Sequence, residues 1–213
     1  MKSIYLLFVV LGFACTHKTS NKNKHENTEY HPTQSSLVIL GTIQDGGSPH
    51  IGCTKPCCKN LFSNPDKTRM VVSLGLVDSQ NMKSWLFEAT PDMPRQLKLL
   101  KQFSKTELSD GILLTHAHIG HYAGLMYLGK EAINSNIVFV YAMPRMKAFL
   151  EQNGPWSQLV KLKNISIQEV HDSISIHLSS NVKVTPFKVP HRDEFSETVG
   201  YLIEGPNKKA LFI

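Results

Sequence analysis

The sequence lacks any apolar stretch long enough to cross a bilayer as a helix. Its longest run, Ile4 to Phe13, covers ten residues, about 15 Å of helix against a hydrocarbon core of about 30 Å. A basic block is also missing. The net charge is +6, of which residues 1–36 carry +2 through Lys2, Lys18, Lys22 and Lys24 against Glu26 and Glu29. The remaining +4 is spread over 177 residues, so no nucleic-acid partner is expected. Glycine is too scarce for a collagen-like chain, at 13 of 213 residues, and 41% hydrophobic residues exclude a wholly disordered one. Internal repeats are absent. Cysteines number four, and setting Cys15 aside leaves an odd count that cannot pair completely within one chain. What the sequence does have is length for one domain with a real core, and a surplus of ten histidines.

Lys2, the short apolar run and the small residues Gly12 and Ala14 read as an export signal. Cys15 follows directly and resembles the lipidated cysteine of bacterial lipoprotein leaders; a plain secretory signal with Cys15 incidental is the alternative. Residues 16–36 are polar, with almost nothing to bury, and read as a flexible tether in which His17, His25 and His31 are solvated. The expected organisation is a signal over 1–15, a tether over 16–36 and a folded domain over 37–213. The expected location is outside the cytoplasm, either periplasmic or anchored to a membrane through Cys15.

From Leu37 onward the pattern alternates. Strands are expected at 37–42, at 71–77 and 85–88 with a hairpin turn between them, at 112–115 and at 137–141. Helices are expected at 91–103, with Pro94 in the first turn and Leu97, Leu100 and Phe103 as an apolar stripe, at 122–133 and at 145–151. Asn153-Gly154-Pro155 closes the last of these. Strands then follow at 165–170, 174–178, 182–189, 199–203 and 210–213. The class is α/β with a substantial antiparallel part. Ile213 falls inside an apolar run, which reads as a sheet incomplete at its C-terminus.

The chemistry gathers in His116-Ala117-His118-Ile119-Gly120-His121. Three imidazoles just after a buried strand stand where α/β folds build their sites. His116 and His118 can face one cavity from an extended turn, with His121 following at a helix start. His191, at the end of another strand, can complete a set. Imidazole suits zinc, and a catalytic zinc needs three protein ligands with one position open.

Thr115 to His121, followed by Gly124-Leu125, resembles the His-x-His-x-Asp-His motif of the metallo-β-lactamase superfamily, and Val189-Pro190-His191 through Val199 to Ile203 is similar to that family's next histidine-bearing segment. The resemblance runs from about Leu37 to the end. Gly41 to Gly47, the cysteines after it, and Glu88 to Asp92 with Arg95, Gln96 and Leu97 narrow it to the branch containing coenzyme PQQ synthesis protein B. It implies an αββα sandwich, incomplete here at the C-terminus, with one or two zinc ions. His116, His118 and His191 would hold one ion, and His121 would contribute to a second. Gly120 stands where the family has its ligand Asp, and the family's bridging Asp and last His lie beyond His191.

His50, Cys53, Cys57 and Cys58 fall within nine residues. Vicinal Cys57 and Cys58 pair only with strain, so a closed structural zinc site of three thiolates and His50 is expected, holding a polar, Gly-rich loop. A disulfide and unligated cysteines are the alternatives, and His50 can equally line the cleft. Glu88, Asp92 and Arg95 read either as groups at a helix N-terminus or as cleft lining, and Arg192, Asp193 and Glu194 either orient His191 or are solvated. Trp85 and Trp156 read as packing residues.

The function these readings imply is metal-dependent hydrolysis of an ester, phosphodiester or lactam-like bond in a small-molecule substrate. The alternative is a non-enzymatic carrier or accessory protein of coenzyme PQQ biosynthesis or transport.

Overall fold

The computed structural model describes residues 34–213; the leader with Cys15, and the tether as far as residue 33 with His17, His25 and His31, lie outside the described residues. Two sheets stack face to face. The first has six strands laid side by side in chain order: β1 (Ser36–Gly41), β2 (Ser73–Asp78), β3 (Lys83–Phe87), β4 (Gly111–Leu113), β5 (Val138–Ala142) and β6 (Ile165–Glu169). β1 to β3 are antiparallel, with the expected hairpin closing at Asp78 opposite Lys83, and β3 to β6 are parallel. The second sheet is an antiparallel meander of β7 (Ile176–His177), β8 (Lys183–Lys188), β9 (Val199–Glu204) and β10 (Lys209–Phe212).

The central strands read as unbroken apolar runs because both of their faces are covered. Leu86, Ile112 and Val140 face the helices. Trp85, Phe87 and Leu113 face the second sheet, where Val184, Val199, Tyr201 and Ile203 meet them. The helix layer comprises α1 (Met93–Ser104), α2 (Ile119–Tyr122), α3 (Pro144–Gln152) and α4 (Trp156–Lys161). In α1, Pro94 pre-sets the first turn, Met93, Leu97 and Leu100 are buried, and Lys105 ends the helix in a left-handed conformation with its N–H donating to the Lys101 carbonyl. Gln96 shares the buried face and is satisfied on both ends: its amide donates to the Val71 carbonyl at 2.7 Å, and its oxygen accepts from the Thr90 hydroxyl at 2.7 Å.

Two helices depart from expectation. The one expected over 122–133 is a single turn, α2, running into a 3₁₀ segment, Ala123–Leu128. There the Gly124 N–H donates to the Ala89 carbonyl at 2.8 Å, tying the chain to the end of β3. Asn153-Gly154-Pro155 does end α3, but Pro155 then opens α4, which the propensities do not announce. Trp156 on α4 packs edge-to-face on Tyr122 at 5.1 Å, and Trp85 is 2% exposed, so both tryptophans pack as expected.

One buried carboxylate joins the layers. Asp78, at the end of β2, accepts from Ser179 Oγ at 2.6 Å, Asn81 Nδ2 at 2.7 Å and Asn181 Nδ2 at 3.3 Å. Burial works to raise its pKa, but these donors outweigh burial and hold it below the usual carboxylate value. The result is the expected α/β sandwich: helices, a mixed sheet, and an antiparallel sheet. Among the described residues no helix lies on the outer face of β7–β10.

Candidate metal centre

The site lies at the carboxyl ends of β3 and β4, where a parallel sheet leaves its strand ends open. After Leu113 the chain stays extended, guided by the Leu114 N–H on the Tyr141 carbonyl. The second sheet clamps the same stretch. The Val199 N–H donates to the Thr115 carbonyl at 3.1 Å, Ala117 N–H to Ser196 Oγ at 2.8 Å, and the buried Tyr201 hydroxyl to the Leu114 carbonyl at 2.7 Å. Tyr201 and Ser196 carry no motif signal, and only the packing of the two sheets reveals them.

His116, His118 and His191 each offer a ligand atom, and those atoms all lie within 4.8 Å of one another. His116 Nε2 is 2.8 Å from His118 Nδ1, and His191 Nε2 is 3.2 Å from the same atom. Nitrogens converging tetrahedrally on one zinc at about 2.05 Å would stand about 3.3 Å apart, so the donor set fits a single small cation. His116 is fixed from behind, its Nδ1 paired with the Thr115 hydroxyl at 2.8 Å, which leaves Nε2 facing the cluster. Burial and the neighbouring His121, His118 and His191 lower its pKa to about 3, so the ring is neutral and its lone pair free at pH 7. His118 Nε2 is buried without a hydrogen-bond partner and has only a charge contact, with Glu194 Oε2 at 3.5 Å.

His191 is the exposed member, on the segment between β8 and β9. Arg145, in the first turn of α3, holds this segment: its guanidinium donates to the carbonyls of Asp193 at 2.9 Å and Glu194 at 3.2 Å, and its N–H to Glu197 Oε2 at 3.0 Å. Of the acidic residues beside His191, Glu194 therefore faces His118, while Asp193 serves Arg145.

His121 sits to one side, its ring centroid 4.4 Å from that of His116. Its Nδ1 is 3.6 Å from Oε2 of Glu88, a residue 1% exposed and held with a left-handed φ of 74°. Burial pushes the His121 pKa down, but Glu88, with a further contribution from Asp45, raises it above the usual imidazole value. Glu88 is thus a cleft residue. Asp92 is the one at the helix start, where its carboxylate accepts from the Val71 N–H at 2.9 Å.

The cysteine loop corrects the sequence-based expectation. Cys53 and Cys58 form a disulfide, Cys57 is an exposed free thiol, and His50 contacts Gln44. The structure therefore does not form the structural zinc site of Cys53, Cys57, Cys58 and His50. The chain between them turns back, with the Cys58 N–H donating to the Lys55 carbonyl at 3.0 Å, so that Cys53 reaches the second of the vicinal pair.

The sequence matches the β-lactamase superfamily domain over residues 84–213. It is 25% identical over 200 residues to coenzyme PQQ synthesis protein B of Methylorubrum extorquens, covering 83% of this chain and 64% of that protein, so the chain spans under two thirds of this relative's length. Among solved structures it resembles zinc-bound PqqB from Methylobacterium extorquens, with a TM-score of 0.66 and 25% identity, over 82% of this chain and 61% of that one. It also resembles a diphosphatase of the PhnP family, with a TM-score of 0.59 and 25% identity, over 79% of this chain and 61% of that one. With the histidine motif at the sheet's carboxyl edge and the match over 84–213, the chain belongs to the metallo-β-lactamase superfamily.

Proposed function

We propose that this protein is a metal-dependent, probe-testable hydrolase related to PQQ synthesis protein B, with His116, His118 and His191 holding a zinc ion. The observation that carries the reading is the convergence of three ligand atoms within 4.8 Å of one another at the open end of the sheet. A zinc ion held there supplies Lewis acidity and an activated nucleophile near neutral pH. The protein's own residues supply the rest. Thr115 and Glu194 orient the His116 and His118 rings, as outer partners of metal-binding histidines do. His121 stands beside the cluster 3.6 Å from buried Glu88, which favours its protonated form. The substrate class is an ester, phosphodiester or lactam-like compound, and the likeness to the PhnP-family diphosphatase favours a phosphate-bearing substrate among these.

The experiment loads the metal-free full chain with Zn²⁺ and follows cleavage of bis(p-nitrophenyl) phosphate and p-nitrophenyl acetate. His118→Ala should lose one equivalent of zinc and all cleavage above background. Unchanged zinc and unchanged cleavage in that variant would overturn the assignment. A second reading, a carrier of a small molecule without turnover, is favoured by Gly120, which offers no carboxylate in the motif. Zinc uptake with no cleavage of either ester would support it.

A further inference from the structure

The three imidazoles of the cluster are not equally secured. His116 is braced from behind by the Thr115 hydroxyl, and His118 has Glu194 beside Nε2, the nitrogen opposite the one that faces the cluster. Among the described residues the His191 ring meets only the other histidines: its Nε2 lies 3.2 Å from His118 Nδ1, and its centroid 4.9 Å from those of His116 and His118. It is also the exposed member. A metal-binding imidazole is ordinarily aimed by a hydrogen bond on its second nitrogen. With no such partner on its ring, His191 takes its place from the backbone that carries it.

That backbone is a loop whose base is closed by the Val189 N–H on the Thr198 carbonyl at 3.0 Å. Its far half is tied to the motif by Ser196, whose Oγ accepts from the Ala117 N–H and donates to the Glu197 carbonyl, both at 2.8 Å. The half next to His191 is held from α3 instead. A single guanidinium nitrogen of Arg145 donates to the carbonyls of Asp193 at 2.9 Å and Glu194 at 3.2 Å, and the other lies 3.7 Å from the Asp193 carboxylate. Phe149 is four residues further along, on the same helix face. It packs on Phe195 of the loop at 5.8 Å between ring centroids, and edge-to-face on Tyr122, directly after His121, at 5.3 Å. The helix that grips the loop is thus itself packed against the histidine motif.

We propose that Arg145 is the positioning residue of the third imidazole: by fixing the peptide groups just beyond His191 it keeps that ring converged on His116 and His118, and so sets the affinity of the cluster for a divalent cation. This rests on the metal-binding reading above. A guanidinium has no lone pair to give a metal, so Arg145 acts wholly through the loop. Its side chain is half-exposed, and its ion pair with Asp193 contributes little to stability. What the two carbonyl bonds supply is order. A loop fixed beforehand spares the ion the cost of ordering it, and that saving appears as affinity.

The test is competition for Zn²⁺ between the metal-free full chain and a chromophoric chelator, with the visible absorption of the Co²⁺-saturated chain as a second readout. Arg145→Met keeps the apolar stem and removes the donors; it should weaken Zn²⁺ binding by about 10- to 100-fold, the range for losing an outer partner of a metal-binding histidine. Its Co²⁺ spectrum should shift toward that of His191→Ala, which a residue that merely stabilises the fold does not produce. Arg145→Lys should lie closer to wild type, because one nitrogen makes both carbonyl bonds and an ammonium can do the same. Wild-type affinity in Arg145→Met overturns the proposal while the metal site stands. So does weakened binding with a Co²⁺ spectrum of wild-type shape, or a lysine variant as weak as the methionine one. Absence of uptake by wild type, or uptake that His118→Ala leaves intact, overturns the metal-binding reading and this proposal with it.

Discussion

Glu88 Oε2 and His121 Nδ1 face each other at 3.6 Å beneath the histidine cluster, the carboxylate fully enclosed and the imidazole nearly so. The pair is placed by the end of β3 and the start of α2, which are joined by the Ala89 N–H donating to the His121 carbonyl at 2.9 Å. In the metal-free chain this contact favours the imidazolium over the opposing effect of burial. Glu88→Gln should lower the His121 pKa, as followed by the ring Hε1 resonance across a pH series. A His121 titration identical in the variant would refute the pairing. The sign for stability follows from linkage: a histidine whose folded pKa is raised contributes fully below its unfolded value of about 6.5 and loses that contribution as pH rises through the folded value. Wild type should therefore lose its advantage over Glu88→Gln as pH rises through the raised folded value.

Asp78 makes the opposite pH prediction. Its folded pKa is depressed, so its contribution is present above the unfolded value of about 4 and disappears as pH falls through the folded one. Asp78→Ala should cost about 3 kcal/mol in urea unfolding at pH 7, the scale of hydrogen bonds to a charged group plus the donors left unpaired. The gap between wild type and variant should close in acid. A constant gap down to pH 3 would mean that packing, not charge, is what the variant removes.

Tyr201→Phe tests the clamp between the sheets. The hydroxyl is wholly buried, and its hydrogen bond ends on the Leu114 carbonyl, two residues before His116. Losing it leaves a buried carbonyl unmet and should cost about 1–3 kcal/mol. Zinc stoichiometry should be unchanged, because the rings keep their other supports; loss of the metal along with the stability would show that Tyr201 positions His116.

Gly124→Ala should destabilise the fold by about 1–3 kcal/mol, the usual cost of forcing a methyl into a filled site. A Cβ there meets the backbone carbonyl of Thr90, which has no rotamer with which to yield. A thermal melt equal to wild type would refute this.

The cysteine assignment is checked by alkylating the unreduced chain and mapping its peptides. Cys57 should be labelled, and Cys53 and Cys58 recovered as one linked species. Labelling of both Cys53 and Cys58 would restore the case for thiolate ligands.

The sequence made much of this molecule legible, and the reasons are local. Buried strands such as Val138–Ala142 and the stripe Met93, Leu97 and Leu100 declare themselves by apolar period, and His116, His118 and His121 by spacing. His191 was legible from its place at the end of a strand, and again through the resemblance of its segment. Less visible were features that depend on what the chain meets in space. The vicinal cysteines gave no sign that Cys58 rather than Cys57 pairs with Cys53. Glu88 read as a helix-start residue because its neighbour Asp92 actually is one. The hold of Arg145 on the carbonyls of Asp193 and Glu194 spans 48 and 49 positions and carries no periodic signal at all.

The strand order of the first sheet has a temporal consequence. Every strand from β1 to β6 lies beside its neighbour in the chain, so this sheet can close progressively as the polypeptide emerges from the ribosome. His116, His118 and His121 follow a strand of that consecutive sheet, whereas His191 stands on the segment between β8 and β9. The third imidazole, and the Val199 and Ser196 bonds that clamp the motif, arrive only when the meander docks. The three-histidine cluster is thus complete only once the two sheets have packed, and an ion bound there would rivet one sheet to the other.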